Sequence, residues 1–177
     1  MIGSPSLRAM EKGGFEALHL AVAEQWIGAG LFPEFGKPGF WFFTISLPHY
    51  LRLMCLRQMK GEEAFEQSLH EPLNQYERFS GKTEDIPILN IDFPNTMEKG
   101  LLLYGKGPLV IHHVHEALGD DAWKALLVDL YRDFAGRILT YAQFQSSLSK
   151  HDRKGTALAQ FNALMTRKGM PGEWTTQ

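Results

Sequence analysis

Apolar residues recur at helical spacing along most of the chain. The strongest pattern follows Gly119, where two aspartates precede apolar residues that lie three and four positions apart: Trp123, Leu126, Leu127, Leu130, Tyr131 and Phe134. This spacing lines one face of an α-helix. Acidic residues are favourable in the first turn of a helix, and a glycine such as Gly136 is typical of its end. The pattern therefore predicts a helix between the two glycines.

Other segments show the same period. Thr140 and Gln143 form a capping box that predicts the start of the next helix. Further helices are predicted around residues 15–26, 47–54, 62–79, 108–118 and 158–165, and loops at residues 29–40 and 81–96. The run Ile86–Phe93 could be a strand, although prolines flank or interrupt it. The prediction is one mainly α domain over residues 1–177, with about seven helices and a tail at residues 1–14.

Composition narrows the class of protein. The 177 residues carry a net charge of −2 and no basic stripe, so we expect no nucleic-acid partner. The most apolar run, Gly39–Leu47, is about half as long as a membrane-spanning helix requires. We therefore expect no membrane span, and a cytoplasmic location by default. The single cysteine, Cys55, excludes an intrachain disulfide, and its apolar helical setting predicts an inert core thiol.

Histidines suggest one possible metal site. No two of the seven are four residues apart, so the paired-histidine helix of the zinc peptidases is absent as a direct signature. His112, His115 and Glu116 would share one helix face and could hold a metal. The alternative is that they simply end a helix, where histidine interacts favourably with the helix dipole.

Several motifs together resemble the M1 family of zinc aminopeptidases, which are gluzincins. The segment Leu103–His112, with Tyr104, Lys106 and Gly107, resembles the family's tyrosine motif. Residues 25–28 (QWIG) resemble the end of its zinc helix, and residues 50–65 resemble the stretch after its third zinc ligand. The resemblance covers about residues 18–171. It implies a helical domain similar to the C-terminal part of the M1 catalytic domain.

The same resemblance implies a degenerate zinc site. It places Leu20 and Glu24 at the two zinc histidines, Ala21 at the general base and Ile45 at the third ligand. A catalytic zinc needs three protein ligands and a base that takes a proton from its bound water. Leu20, Ala21 and Ile45 can do neither. The family leads us to expect zinc, but the residues predict that none is bound.

Two further positions match the family's site. Tyr104 matches the tyrosine that hydrogen-bonds the tetrahedral oxyanion, a role that is vestigial without zinc. The alternative for Tyr104 is a buried tyrosine at a helix start. Glu11 resembles the glutamate that binds the N-terminal amine of a peptide.

These observations favour a non-catalytic binding or scaffold domain derived from a peptidase. The alternative is a metal-dependent aminopeptidase or hydrolase with a rebuilt site that uses His112, His115 and Glu116. The family's large β-rich N-terminal region has no counterpart in this sequence, so we expect an apolar face to which residues 40–43 contribute. A second copy of the chain or a partner protein would cover that face, and a peptide is a further possible ligand.

Overall fold

The computed structural model describes residues 22–27, 30–79 and 86–168, and most of this chain is helical. Seven α-helices have their full bounds there: α1 (Leu47–Lys60), α2 (Glu62–Phe79), α3 (Met97–Leu101), α4 (Gly107–Leu118), α5 (Asp120–Phe134), α6 (Tyr141–His151) and α7 (Thr156–Thr166). Residues 22–26 are also helical. Two short strands, β1 (Phe32–Pro33) and β2 (Ile138–Leu139), pair in parallel. The prediction of a mainly α fold is confirmed.

Local signals predicted the starts of α5 and α6 correctly. The helix α5 starts at Asp120 directly after Gly119, whose φ of 80° is a conformation that glycine adopts readily. The capping box of α6 is present in both directions. The Thr140 hydroxyl accepts from the Gln143 backbone N–H at 3.1 Å, and the Gln143 side chain accepts from the Thr140 backbone N–H at 2.8 Å.

Two π-helical segments extend the regular helices. The first, Phe42–Ser46, leads into α1, and the second, Leu102–Lys106, joins α3 to α4. The start of α4 at Gly107 agrees with the prediction of a helix from about Pro108, but the continuous helical path already begins at Met97. Between residues 86 and 93 the chain forms a 3-10 turn at Ile88–Asn90 instead of a strand.

The π segments approach each other closely. The Ser46 hydroxyl donates a 2.7 Å hydrogen bond to the Leu103 carbonyl. A methyl group on Gly107 would lie closer than 3.0 Å to both the Oγ and the Cβ of Ser46, nearer than real side-chain contacts come. Glycine is required at this position because the neighbouring segment occupies the space that a side chain needs.

Aromatic side chains fill the core beside the first π segment. The rings of Phe43 and Phe144 lie 5.0 Å apart, those of Phe144 and Phe161 lie 5.2 Å apart, and Phe42 lies 5.8 Å from Phe161. Phe42 and Phe43 are only 1% exposed. The prediction that all of residues 40–43 contribute to an open apolar face is therefore wrong for these two, which pack inward.

Cys55 is exposed, so the prediction that it is an inert core thiol is wrong. Leu53 and Leu56 of α1 are buried, and helical spacing turns the cysteine between them away from that buried face. Across the described ranges, none of the helices combines the length and apolar character needed to cross a membrane.

We expect Gly107→Ala to lower the free energy of unfolding by about 1–3 kcal/mol, because overpacking forces the two π segments apart. The matched control is Gly100→Ala in α3, where an added methyl group meets nothing within 4 Å. That change should be neutral or stabilising by up to about 1 kcal/mol, since alanine favours helix. Urea denaturation of both variants measures the difference.

A double variant tests the cause. Ser46→Gly removes the side chain that Gly107→Ala would strike, so the two changes together should cost less than the sum of their separate costs. Simple additivity would show that the destabilisation arises elsewhere than at this contact.

Candidate functional site

The two π segments carry two of the predicted site residues. Ile45 lies half-buried on the first segment, and Tyr104 lies on the second with 44% of its surface exposed. The Ser46–Leu103 hydrogen bond joins their direct neighbours in the chain. Tyr104 is therefore not the buried tyrosine of the alternative interpretation. Single π-helical turns are frequent at functional sites, so the contact between these two π segments, the Tyr104 junction, is the candidate functional site.

The residues that follow Tyr104 have structural roles. Lys106 is fully buried, and its ammonium donates a hydrogen bond to the carbonyl of Arg167, the residue that ends α7. A cation is favourable at the C-terminal end of a helix. The motif that suggested a peptidase thus directs tyrosine outward and lysine inward, and uses Gly107 for the close approach to Ser46.

His49 is a site residue that the sequence analysis missed. It lies in the first turn of α1, four residues after Ile45, and its ring meets the Tyr104 ring edge-on at a centroid distance of 5.5 Å. The His49 Nε2 is 3.3 Å from the Arg52 guanidinium, which can only donate. The neutral ring therefore carries its hydrogen on Nδ1. This buried atom has no hydrogen-bond partner in the part of the chain that the structure describes.

Burial keeps His49 neutral. Loss of solvent, together with the smaller effect of the nearby positive charge of Arg52, lowers the pKa of His49 from 6.5 to about 4. At neutral pH the ring next to Tyr104 is thus an uncharged hydrogen-bond donor. The sequence signal that could have found it is its spacing, because a residue four after Ile45 lies one helical turn further on.

The three candidate metal ligands on α4 belong to a different hydrogen-bond network. The Tyr50 hydroxyl lies 2.8 Å from the His115 Nδ1, and the His115 Nε2 lies 2.9 Å from the Asp120 carboxylate. The carboxylate only accepts, so His115 donates from Nε2 and accepts the Tyr50 hydrogen at Nδ1. Both ring nitrogens of His115 are engaged, and neither has a lone pair left for a metal.

His112 and Glu116 complete this network. The His112 Nδ1 lies 3.4 Å from the Tyr50 hydroxyl, and its Nε2 lies 3.5 Å from the Glu116 carboxylate. Burial lowers the pKa of His112 and of His115, and burial raises the pKa of the Tyr50 phenol. Tyr50 is fully buried and stays protonated, so it acts as the hydrogen-bonded centre that ties α1 to α4.

The remaining predicted residues fall into two groups. Glu24 is exposed on the helical stretch 22–26, close in the chain to Trp26, whose ring stacks on Tyr131 at 5.7 Å. Glu11, Leu20 and Ala21 lie outside the described residues. The structure thus brings the segments of Ile45 and Tyr104 into contact and adds His49 to them.

Solved structures of M1 zinc metallopeptidases share this fold. A two-domain M1 zinc metallopeptidase mutant bound to L-tryptophan aligns with a TM-score of 0.64 and 19% identity, over 88% of this chain and 34% of that chain. The same kind of mutant bound to L-arginine aligns with a TM-score of 0.65 and 18% identity, over 86% of this chain and 33% of that chain. An M1 zinc metallopeptidase mutant from Deinococcus radiodurans bound to a Tyr-Ser-Ala substrate aligns with a TM-score of 0.60 and 19% identity, over 88% of this chain and 34% of that chain.

The chain spans about one third of the length of these metallopeptidases. No family model matches it, and no curated protein matches it in sequence. Likeness at this level of identity defines the fold alone. The resemblance that the motifs suggested is therefore confirmed as a shared fold with part of an M1 zinc metallopeptidase.

Zinc is the metal that this fold implies, and the described residues do not fit it. Within residues 22–27, 30–79 and 86–168, no group of three or more His, Cys, Asp or Glu side chains is arranged to hold a metal ion. Ile45, at the position that the resemblance gives to the third ligand, has only hydrocarbon to offer. The described side chains around Tyr104 can therefore contribute hydrogen bonds and apolar contacts, but they do not form a zinc centre.

The Tyr50 network predicts a specific loss of stability. Tyr50→Phe leaves the buried His115 Nδ1 without its donor and should lower the free energy of unfolding by about 1–3 kcal/mol. The matched control is Tyr141→Phe, because Tyr141 also packs among aromatic rings but its hydroxyl has no hydrogen-bond partner among the described residues. Equal losses in the two variants, measured by urea denaturation, would contradict the network.

His49 predicts a pH dependence. Its pKa is about 4 in the folded chain and about 6.5 in the unfolded chain, so on acidification the unfolded state takes up a proton that the folded state refuses. Stability should therefore fall from about pH 6.5 downward. Between about pH 7.5 and about pH 4.5, the free energy of unfolding of the wild type should fall by about 2 kcal/mol more than that of His49→Gln.

The control for this measurement is His70→Gln, which changes an exposed histidine on α2. His112 and His115 titrate in the same direction and remain in all variants, so the difference between variants isolates His49. Unfolding free energies of wild type and His49→Gln that stay parallel across this pH range would count against a buried neutral ring.

Proposed function

We propose that the chain is a peptidase-derived domain that binds without cleaving, a non-catalytic binding or scaffold domain on an M1-like fold. The observation that carries the proposal is the side chain at Ile45, which lies next to the segment of Tyr104 but offers no metal-binding atom. Leu20 and Ala21 are equally unable to bind zinc or take a proton. Hydrolysis on this fold would need a zinc-bound water and a base, and the matched positions supply neither.

The alternative of a rebuilt metal site has less support. A metal on His115 would have to displace the Tyr50 hydroxyl or the Asp120 carboxylate, which lie 2.8 Å and 2.9 Å from its two nitrogens. Displacing the hydroxyl would break its short hydrogen bond and leave it with only the 3.4 Å contact to the His112 Nδ1, at a cost of about 1 kcal/mol. His112 and Glu116 alone give two ligands, and a catalytic zinc takes three from the protein.

Binding uses the groups that remain. Tyr104 is 44% exposed, its hydroxyl can donate a hydrogen bond to a peptide carbonyl without any metal, and a peptide is the ligand we propose for it. A second copy or a partner protein is proposed to cover the exposed aromatic residues. Phe35 is 81% exposed and Phe93 is 57% exposed, and they flank Phe40 and Trp41 in a continuous edge-to-face chain.

Metal content and peptidase activity of the full chain test the proposal. After purification in the presence of zinc, the wild type should carry far less than one zinc per chain. It should also leave aminoacyl p-nitroanilides uncleaved, because the ligands and the base are missing. Stoichiometric zinc together with cleavage that a chelator abolishes would refute it. If that zinc were lost in His112→Ala or His115→Ala, the rebuilt site would be the correct function.

Restoring the ligands tests the matched positions themselves. The triple variant Leu20→His, Glu24→His, Ile45→Glu should bind one zinc per chain, because it supplies three ligands where the resemblance places them. The control is Leu20→His, Glu24→His with Ile45 unchanged, which should bind zinc more weakly. A folded triple variant with no gain in zinc affinity over the control would show that Ile45 does not occupy the third ligand position.

A further inference from the structure

Two loops present a continuous aromatic surface on the outside of the fold. We call it the aromatic patch: it consists of Phe35, Phe40, Trp41 and Phe93, whose neighbouring rings meet edge to face at centroid distances of 5.1, 5.0 and 5.5 Å. Phe40 and Trp41 are half-buried, whereas Phe35 at one end is 81% exposed. Contiguous apolar side chains at a protein surface, unlike isolated ones, indicate an interaction site.

Hydrogen bonds hold Phe35 in this exposed position. In the turn that carries it, the Lys37 N–H donates to the Glu34 carbonyl at 3.3 Å. The Trp41 indole N–H donates to the Asp92 carbonyl and joins this turn to the second loop. Because the turn is already ordered, a partner gains contact with the Phe35 ring at little further cost in conformational entropy.

A pocket lies next to the protruding ring. Its volume is about 500 Å³, which is within the range of small-molecule sites and leaves room for one aromatic side chain. Gly36, which directly follows Phe35, lines the pocket together with Phe40 and Trp41. The same patch thus offers both a ring and a pocket that can receive one. An interface between two identical copies requires this combination, because a two-fold axis brings each patch against itself.

The charges beside the Phe35 ring are also self-complementary. Glu34 and Lys37 lie on the two sides of it in the turn, and no ion pair of either residue occurs in the part of the chain that the structure describes. Asp92 is not counted here, because its carboxylate is already paired with the Lys99 ammonium at 2.9 Å. A two-fold axis at this turn reverses the order of its residues in the second copy, so Glu34 of each copy faces Lys37 of the other.

We propose that the aromatic patch is the interface of a two-fold dimer of this chain, in which the Phe35 ring of each copy enters the pocket of the other and Glu34 pairs with Lys37 across the axis. The proposed function named a second copy or a partner protein for this surface, and the inference rests on it only for the claim that the surface is covered. A second copy supplies the ring, the pocket and both charges from residues that the chain already has. The rings supply the buried apolar area, and the charge pairs fix the register of the two copies.

Self-association of the full chain tests the proposal. Sedimentation from low micromolar to nearly millimolar concentration should show the mass rising from that of the monomer to that of the dimer. Phe35→Ala removes an exposed ring, so the fold is retained, and it should raise the dimer dissociation constant about tenfold or more. The control Val128→Ala shortens an exposed apolar side chain of α5 outside the patch and should leave the constant unchanged.

Two charge variants test the two-fold arrangement. Glu34→Lys and Lys37→Glu each place like charges opposite each other twice in the dimer, so each variant alone should dimerise about three- to tenfold more weakly. When the two variants are mixed, opposite charges meet again in both pairs. A heterodimer should then form about as tightly as the wild-type dimer. Circular dichroism of each variant verifies that the fold is retained.

Three results would overturn the proposal. A chain that stays monomeric throughout this concentration range leaves a different protein as the partner of the aromatic patch. A dimer that Phe35→Ala leaves intact, or that Val128→Ala disrupts instead, has its interface elsewhere. A mixture of the two charge variants that associates as weakly as each variant alone excludes the pairing of Glu34 with Lys37. Zinc content and peptidase activity test the proposed function separately, so none of these results bears on the loss of zinc.

Discussion

The arrangement of this fold depends on the contact between two π-helical segments. The Ser46 hydroxyl bonds to the Leu103 carbonyl, and Gly107 makes the approach possible by having no side chain. This contact holds the N-terminal end of α1 against the N-terminal end of α4. As a result it sets where Ile45, His49 and Tyr104 lie relative to one another. A π turn inserts one extra residue into a helix, so it rotates every side chain that follows by about 100°.

A second set of polar contacts holds the same two helices further along. Tyr50 lies one residue after His49, but it faces a different partner, and its hydroxyl contacts His115 and His112 on α4. Helices α1 and α4 are therefore joined twice, first through the π segments and then through this network. The histidines that look like metal ligands in the sequence are explained by this role in packing.

Features with local causes could be predicted from the sequence, and features with tertiary causes could not. The start of α5 and the capping box of α6 depend on residues within one turn of each other, so both could be predicted from the sequence. The π segment at Leu102–Lys106 is held by a hydrogen bond from the Ser46 side chain, which lies more than fifty residues earlier in the chain, to one of its carbonyls. The spacing of apolar residues in a sequence does not indicate so distant a partner. The burial of His49 and the exposure of Cys55 likewise depend on which face of α1 meets a neighbour.

The pairing of β1 with β2 has a consequence for how the chain assembles. Phe32 is matched with Ile138, and the Gly136 N–H donates to the Gly30 carbonyl at 2.8 Å, so these bonds join segments more than a hundred residues apart. Closing so long a loop carries an entropic cost that only the prior folding of the intervening helices can reduce. We therefore expect this small parallel ladder to form late, after the helical body, and its amide hydrogens to be among the first to exchange with solvent as the structure opens.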